Sequence, residues 1–111
     1  MTMSEQEQLL MKKNYQLSFR VMTDDDIDRM ETIQKACYEH PWDSSVIAQV
    51  VDDSPNMHGR VLEKDNLVIG SCLFQKFDGQ IYVADFNIAP EFQRRGFGKY
   101  MMQQLKKMWR S

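Results

Sequence analysis

At 111 residues, with 42% hydrophobic and 27% charged residues, the chain has the composition of one ordinary globular domain. A formal net charge of −2 argues against a nucleic-acid binder, which carries a basic excess. No apolar run approaches the roughly 20 residues needed to cross a bilayer. Cys37 and Cys72 stand in apolar stretches without CxxC spacing, so they read as buried free thiols in a reducing cytoplasm. His40 and His58 lack partners at ligand spacing, and no metal site is expected.

Met1 to Lys13 lacks the segment order of a signal peptide and reads as a flexible lead-in to a domain over residues 14–111. Tyr15, Leu17, Phe19 and Val21 then alternate with polar residues, the period of a half-buried strand. Thr23 caps a helix whose first turn holds Asp24, Asp25 and Asp26 and whose apolar face is Ile27, Met30, Ile33 and Cys37. Pro41 ends it, because the residue before proline is pushed out of helical geometry. A shorter helix from Asp43 to about Val51 buries Val46, Ile47, Val50 and Val51. Asp52 to Gly59 reads as loop, turning at Ser54-Pro55-Asn56.

Three strands follow: Arg60 to Lys64, Leu67 to Phe77 after the Asp65-Asn66 turn, and Gln80 to Ile88. Asp78-Gly79 is the strongest hairpin signal, since both residues tolerate positive φ. The last helix, Gly98 to Trp109, places Met101, Met102, Leu105, Met108 and Trp109 on one stripe. The order is β-α-α-β-β-β-α, an α+β fold with a mostly antiparallel sheet flanked by helices.

The segment Asp85-Phe86-Asn87-Ile88-Ala89-Pro90-Glu91-Phe92-Gln93-Arg94-Arg95-Gly96-Phe97-Gly98-Lys99 joins a strand to an amphipathic helix. Glycines there let several N–H groups converge at the positive end of the helix dipole, a nest suited to phosphate oxygens. Arg94, Arg95 and Lys99 add charge at its rim. Glycine pairs also serve as plain strand-to-helix turns. The absence of GK[ST] excludes a Walker loop, and the Rossmann three-glycine spacing is missing.

Gln93-x-x-Gly96-x-Gly98, after an apolar strand and a Pro90-Glu91-Phe92 spacer, resembles the acyl-CoA binding motif Q/R-x-x-G-x-G/A of the GNAT N-acetyltransferases. The upstream strand, two helices and three strands match that family's order. Cys37-Tyr38-Glu39-His40-Pro41-Trp42-Asp43 resembles the helix-joining segment of ribosomal-protein-alanine N-acetyltransferases, where a Pro-Trp pair borders the acceptor-peptide groove. A Pro-Trp pair can also simply stop a helix and plug a core.

The resemblance implies acetyl transfer from acetyl-CoA to a primary amine, with a protein N-terminus among the candidate acceptors. It implies pantetheine pairing with the backbone of Phe86, Asn87 and Ile88, the Ile88 amide polarising the thioester. Backbone amides from Arg94 to Lys99 (Arg94, Arg95, Gly96, Phe97, Gly98 and Lys99), after Gln93, hold the pyrophosphate. His40, Pro41 and Trp42 are the implied acceptor-side residues. No general base is evident; the weak catalytic candidates are Tyr82, which stands where some members carry glutamate, and Asp85 and Glu39, the nearest carboxylates, which read more readily as solvated surface groups.

The family's further strand, helix and closing hairpin, a C-terminal β-α-β-β part, have no counterpart here. That leaves the strand from Gln80 to Ile88 as an open apolar edge, of the kind that recruits another chain. A truncated enzyme, a homodimer completing the sheet, and a catalytically incomplete module binding CoA or a protein partner all remain open. Neither a nucleic acid nor a membrane is an expected partner.

Overall fold

The computed structural model describes Glu5, residues 16–53 and residues 56–110, so the lead-in, Tyr15 and the Ser54-Pro55 part of the expected turn lie outside the described residues. Strand β1 (Leu17–Val21) leads through a 3-10 turn at Asp24–Asp26 into helix α1 (Ile27–Cys37). Helix α2 (Ser44–Asp53) follows, then β2 (Met57–Lys64), β3 (Leu67–Phe77), β4 (Gln80–Ile88), a second 3-10 turn at Pro90–Phe92 and helix α3 (Phe97–Arg110). The strands form one antiparallel sheet in the order β1-β2-β3-β4.

Turn chemistry sets the meander. Asp65 and Asn66 have φ of 51° and 70°, and Asp78 and Gly79 have φ of 53° and 74°. Both two-residue turns therefore take the left-handed conformations that match strand twist. β2 begins at Met57, three residues earlier than Arg60. Glycine at 59 weakens the sequence signal for a strand, but its place is taken by packing: Met22 lies over it, and Met22 N–H donates to Gly59 O at 3.0 Å.

Helix α1 stops at Cys37, with Tyr38 already extended, so the helix ends ahead of Pro41. Its first residues are fixed by electrostatics. Arg20 of β1 makes two 2.8 Å bonds to the buried Asp26 carboxylate and also reaches Glu63. Thr23 N–H donates to Asp26 at 2.7 Å. The Arg20 bond, more than the backbone one, holds the Asp26 carboxyl below its ordinary range. That contribution is present above the ordinary pKa of 3.8 and is lost as pH falls through the lower folded value.

The sheet separates two apolar cores. On one face α3 buries Phe97, Tyr100, Met101 and Leu105 against Leu62, Ile69, Cys72, Phe74 and Ile88. On the other, α1 and α2 bury Met30, Ile33 and Ile47 against Val61, Val68, Leu73 and Ala89. Val21 and Val46, expected inward, are exposed: Val21 ends an edge strand, and Val46 lies in the first turn of α2 beside the Asp43 cap. The Trp109 side chain lies outside what the structure describes.

Two bulges decide which side chains reach which core. Leu62 faces Gly70 but Glu63 faces Val68, so Ile69 is an extra residue and shares a face with Gly70. Leu73 faces Asp85 while Phe74 faces Val83, so Ala84 is the extra residue of β4. Before Ala84 the odd-numbered Ile81 and Val83 lie on the α3 side. After it the even-numbered Phe86 and Ile88 do, and Asp85 and Asn87 are turned toward α1.

Gly70 is crowded by the neighbouring strand β4 and by Met101 of α3. A Cβ there would stand 2.5 Å from Ile88 Cδ1 and 2.9 Å from the Asn87 carbonyl oxygen. At Gly59 the conflict is with the far end of Met22, which can move. Gly70→Ala is therefore expected to destabilise the domain by about 1–3 kcal/mol, and Gly59→Ala by less. Denaturant unfolding of the two variants measures the order.

Candidate functional site

The site is built on the outer edge of β4. Ala89 N–H donates to Ile69 O at 2.7 Å, which makes Ile88 and Gly70 a non-hydrogen-bonded pair. The ladder's alternation then directs the N–H and C=O groups of Phe86 and Ile88 away from β3, onto the open edge. Asn87, expected to pair with a ligand, turns its backbone groups to Ser71 of β3 instead. Strand geometry permits only every second residue to face outward.

Both outward carbonyls already have donors. Tyr38 Oη–H donates to Phe86 O at 3.2 Å. Gln93 Nε2 donates to Ile88 O at 2.8 Å, and Cys37 Sγ lies 3.3 Å from that oxygen. Gln93, the first residue of the glycine motif, thus clamps the strand's end. The site's side-chain groups come from the end of α1 and the turn before α3, closing on a strand more than forty residues from Tyr38.

Beyond Ile88 the chain turns sharply into α3. Arg94 has φ 63° and Gly96 φ 91°, and Tyr100 N–H donates to Gly96 O at 3.0 Å as an early bond of the helix. Left-handed residues alternating with ordinary ones curl the backbone into an anion-binding concavity. At Gly98 a Cβ would meet nothing nearer than Ile88 Cγ1 at 3.7 Å. Arg94, Arg95 and Lys99 are exposed around it, Arg95 resting 5.7 Å from the Phe92 ring centre. Phe97 sends its side chain into the core, leaving its backbone to the turn.

On the α1 side of the same edge lies a groove of about 480 Å³, lined by Gln34, Tyr38, Glu39, His40, Trp42 and residues 83–86. His40 and Trp42 of the joining loop line it, as does the exposed Glu39. Asp85 is not the solvated surface group expected. It accepts bonds from Gln34 Nε2 at 2.7 Å and Asn87 Nδ2 at 2.9 Å. Asn87 Oδ1 accepts from Ser71 at 3.2 Å, and Gln34 Oε1 accepts from Trp42 N–H at 3.1 Å. This buried polar chain ties the loop to the strand. Its sequence signal is slight, because Gln34 is a lone polar residue on the apolar side of α1.

Burial raises the Asp85 pKa, opposed by its amide donors. Burial first, then the charge of Asp85, also raises the Tyr38 phenol and the Cys37 thiol. Cys37 and Cys72 are free; Cys37 is half-buried, and burial pushes the Cys72 thiol up to about 12. Tyr82 is not brought into the groove. It lies beyond the bulge, exposed, with its hydroxyl donating to Gln80 Oε1 at 3.0 Å. Among the described residues no cluster of three or more His, Cys, Asp or Glu is placed to hold a metal, and no helix is long and apolar enough to cross a membrane.

The comparisons with known proteins agree with this geometry. A family model described as Acetyltransferase (GNAT) family matches residues 27–111. No curated protein matches by sequence. Among solved structures, the ribosomal-protein-S18-alanine N-acetyltransferase from Escherichia coli superposes with TM-score 0.75 at 14% identity, covering 85% of this chain and 59% of that one. Ard1 from Thermoplasma volcanium gives 0.72 at 18% identity, covering 85% and 64%. The PaiA N-acetyltransferase from Thermoplasma acidophilum, solved with coenzyme A, gives 0.66 at 9%, covering 86% and 72%. The chain thus spans about three-fifths of the first two.

A carboxyl whose folded pKa is raised binds protons more tightly folded than unfolded, so it favours folding at low pH and opposes it once ionised. Asp85→Asn keeps an oxygen acceptor for Gln34 and removes the charge. It is expected to raise the melting temperature at pH 7, with the gain closing as pH falls toward the ordinary value of 3.8. Thermal melts across that range measure it.

Proposed function

The chain belongs to the GNAT acetyltransferase family, and on that basis we propose that it binds acetyl-CoA along the open edge of β4 and presents the thioester to a primary amine. A protein N-terminus is the acceptor favoured here. The observation that carries this reading is the continuity of two features. Outward backbone groups at Phe86 and Ile88 run directly into a left-handed turn at the start of a 14-residue helix.

A pantetheine arm carries amide groups and can add to such an edge as an extra strand does. The turn's N–H groups from Arg94 to Lys99 meet the pyrophosphate at the helix N-terminus, with Arg94, Arg95 and Lys99 supplying charge. The Ile88 N–H faces the edge where the thioester carbonyl would lie. There it stabilises the oxyanion formed as an amine attacks. The acceptor approaches from the groove beside His40, Pro41 and Trp42. Free thiols at Cys37 and Cys72 fit a reducing compartment such as the cytoplasm.

The same edge favours association with a second copy. Ile81 and Val83 border an apolar cleft of about 160 Å³ with Met102 and Leu105, and Val83 is 45% exposed. A homodimer covering it is expected to show in light scattering at micromolar concentration; a monomer mass that does not rise with concentration ends that reading.

Two glycines separate ligand binding from backbone strain. Gly96 (φ 91°) and Gly79 (φ 74°) both occupy conformations that disfavour a side chain, but only Gly96 lies in the proposed phosphate turn. Each change to alanine costs about 1–2 kcal/mol of strain. By calorimetry, Gly96→Ala is expected to weaken CoA binding at least about tenfold, and Gly79→Ala to leave it within about twofold. Equal CoA affinity in the two variants would overturn the assignment of the turn.

A further inference from the structure

The Asp85 carboxylate has a use that its neighbours do not explain. Among the described residues neither lysine nor arginine pairs with it; Arg20, Lys35 and Lys64 make ion pairs elsewhere. Its two side-chain donors are neutral amides, and both bind the same oxygen, Oδ2. The Phe86 backbone N–H is a third neutral donor to the carboxylate; a carboxylate offers about four lone-pair sites over two oxygens, so room remains for one further donor. A partly buried charge held by neutral donors alone is costly unless a counter-charge arrives.

The surroundings say what that counter-charge is. Asp85 lines the groove together with Glu39, Tyr38 and Trp42. A second carboxylate at the mouth and two aromatic rings form walls that favour a cation and disfavour an anion. The groove opens beside Phe86, the first of the two outward-facing residues of β4. Gln34 fixes the carboxylate's orientation while its other end holds the loop through Trp42 N–H.

We propose that Asp85 is the anionic recognition point for the acceptor, receiving its primary ammonium group in this groove, with Gln34 as the positioning residue. The proposal rests on the acetyltransferase reading and names the group on this chain that selects an amine. Titratable groups facing Asp85 are Cys37 and Tyr38 at the end of α1 and Glu39 and His40 on the loop; of these only His40 can become cationic.

The test uses two pairs of probes on the uniformly ¹⁵N-labelled chain at pH 7. One pair is trialanine and N-acetyl-trialanine; the other is n-butylamine and N-butylacetamide. The free amines are expected to shift the backbone resonances of Ala84, Asp85 and Phe86. Each is expected to bind at least about tenfold more tightly than its blocked partner, the scale of one charge-assisted contact. Saturation by trialanine ahead of n-butylamine identifies a peptide acceptor, and the reverse a small amine.

Asp85→Asn, whose shape and hydrogen bonds to Gln34 are retained, is expected to abolish the preference for the free amines. Blocked and free probes binding within about twofold of each other would overturn the proposal, as would no shift with either free amine or an undiminished preference in Asp85→Asn. Calorimetry with CoA on the same samples reads the donor site separately. Loss of CoA binding in the unmodified chain would sink the donor assignment, and an amine preference dependent on Asp85 would still stand or fall by its own titration.

Discussion

Among the described residues β4 is bonded to a strand on one side only, and much of this domain is arranged around the backbone groups on its other side. Outward N–H and C=O groups are a template for any extended chain, which is a hazard in a stable protein. Here the carbonyls of Phe86 and Ile88 are met by side chains from Tyr38, Gln93 and Cys37. The edge is thereby stabilised without being covered. Satisfying acceptors with side-chain donors, and not with another strand, keeps the backbone accessible from one direction. It also draws the end of α1 and the turn before α3 to one place.

The two faces of the sheet do different work. Against α3 the contact is apolar, and glycine at 70 leaves room there for Ile88 of β4 and Met101 of α3. Against α1 the apolar layer is interrupted by a hydrogen-bonded chain from Ser71 through Asn87, Asp85 and Gln34 to the backbone of Trp42. The side-chain polar atoms buried in the described residues all have partners. Such a chain is sensitive to geometry, because losing one member leaves the others buried without a partner. Both faces bury an apolar core, and the α1 face also sets the position of the groove.

Much of the frame could be read from residues in order. Asp65-Asn66 and Asp78-Gly79 carry their own turn preferences, so β3 and β4 have the expected limits. The stripe of Met101 and Leu105 located the last helix within one residue at each end. The bulges at Ile69 and Ala84 were not legible, because one additional apolar residue in an apolar strand leaves no mark on local composition. Asp85 was misread for a related reason. Its hydrogen-bond partner Gln34 lies 51 positions away, and local polarity says nothing about a partner that tertiary structure brings in. The glycine turn was legible as a motif, but the clamp that Gln93 places on Ile88 O depends on the fold.

Ala84 has a consequence for how this strand can change over time. An extra residue reverses the inside and outside of everything on one side of it, so β4 is two half-strands of opposite parity joined at one alanine. A deletion at that point therefore turns neither half over: Val83 then precedes Asp85 in plain alternation, so Ile81 and Val83 keep the α3 side and Asp85 keeps the α1 side. Single-residue length variation, ordinarily absorbed by loops, is absorbed here inside the strand.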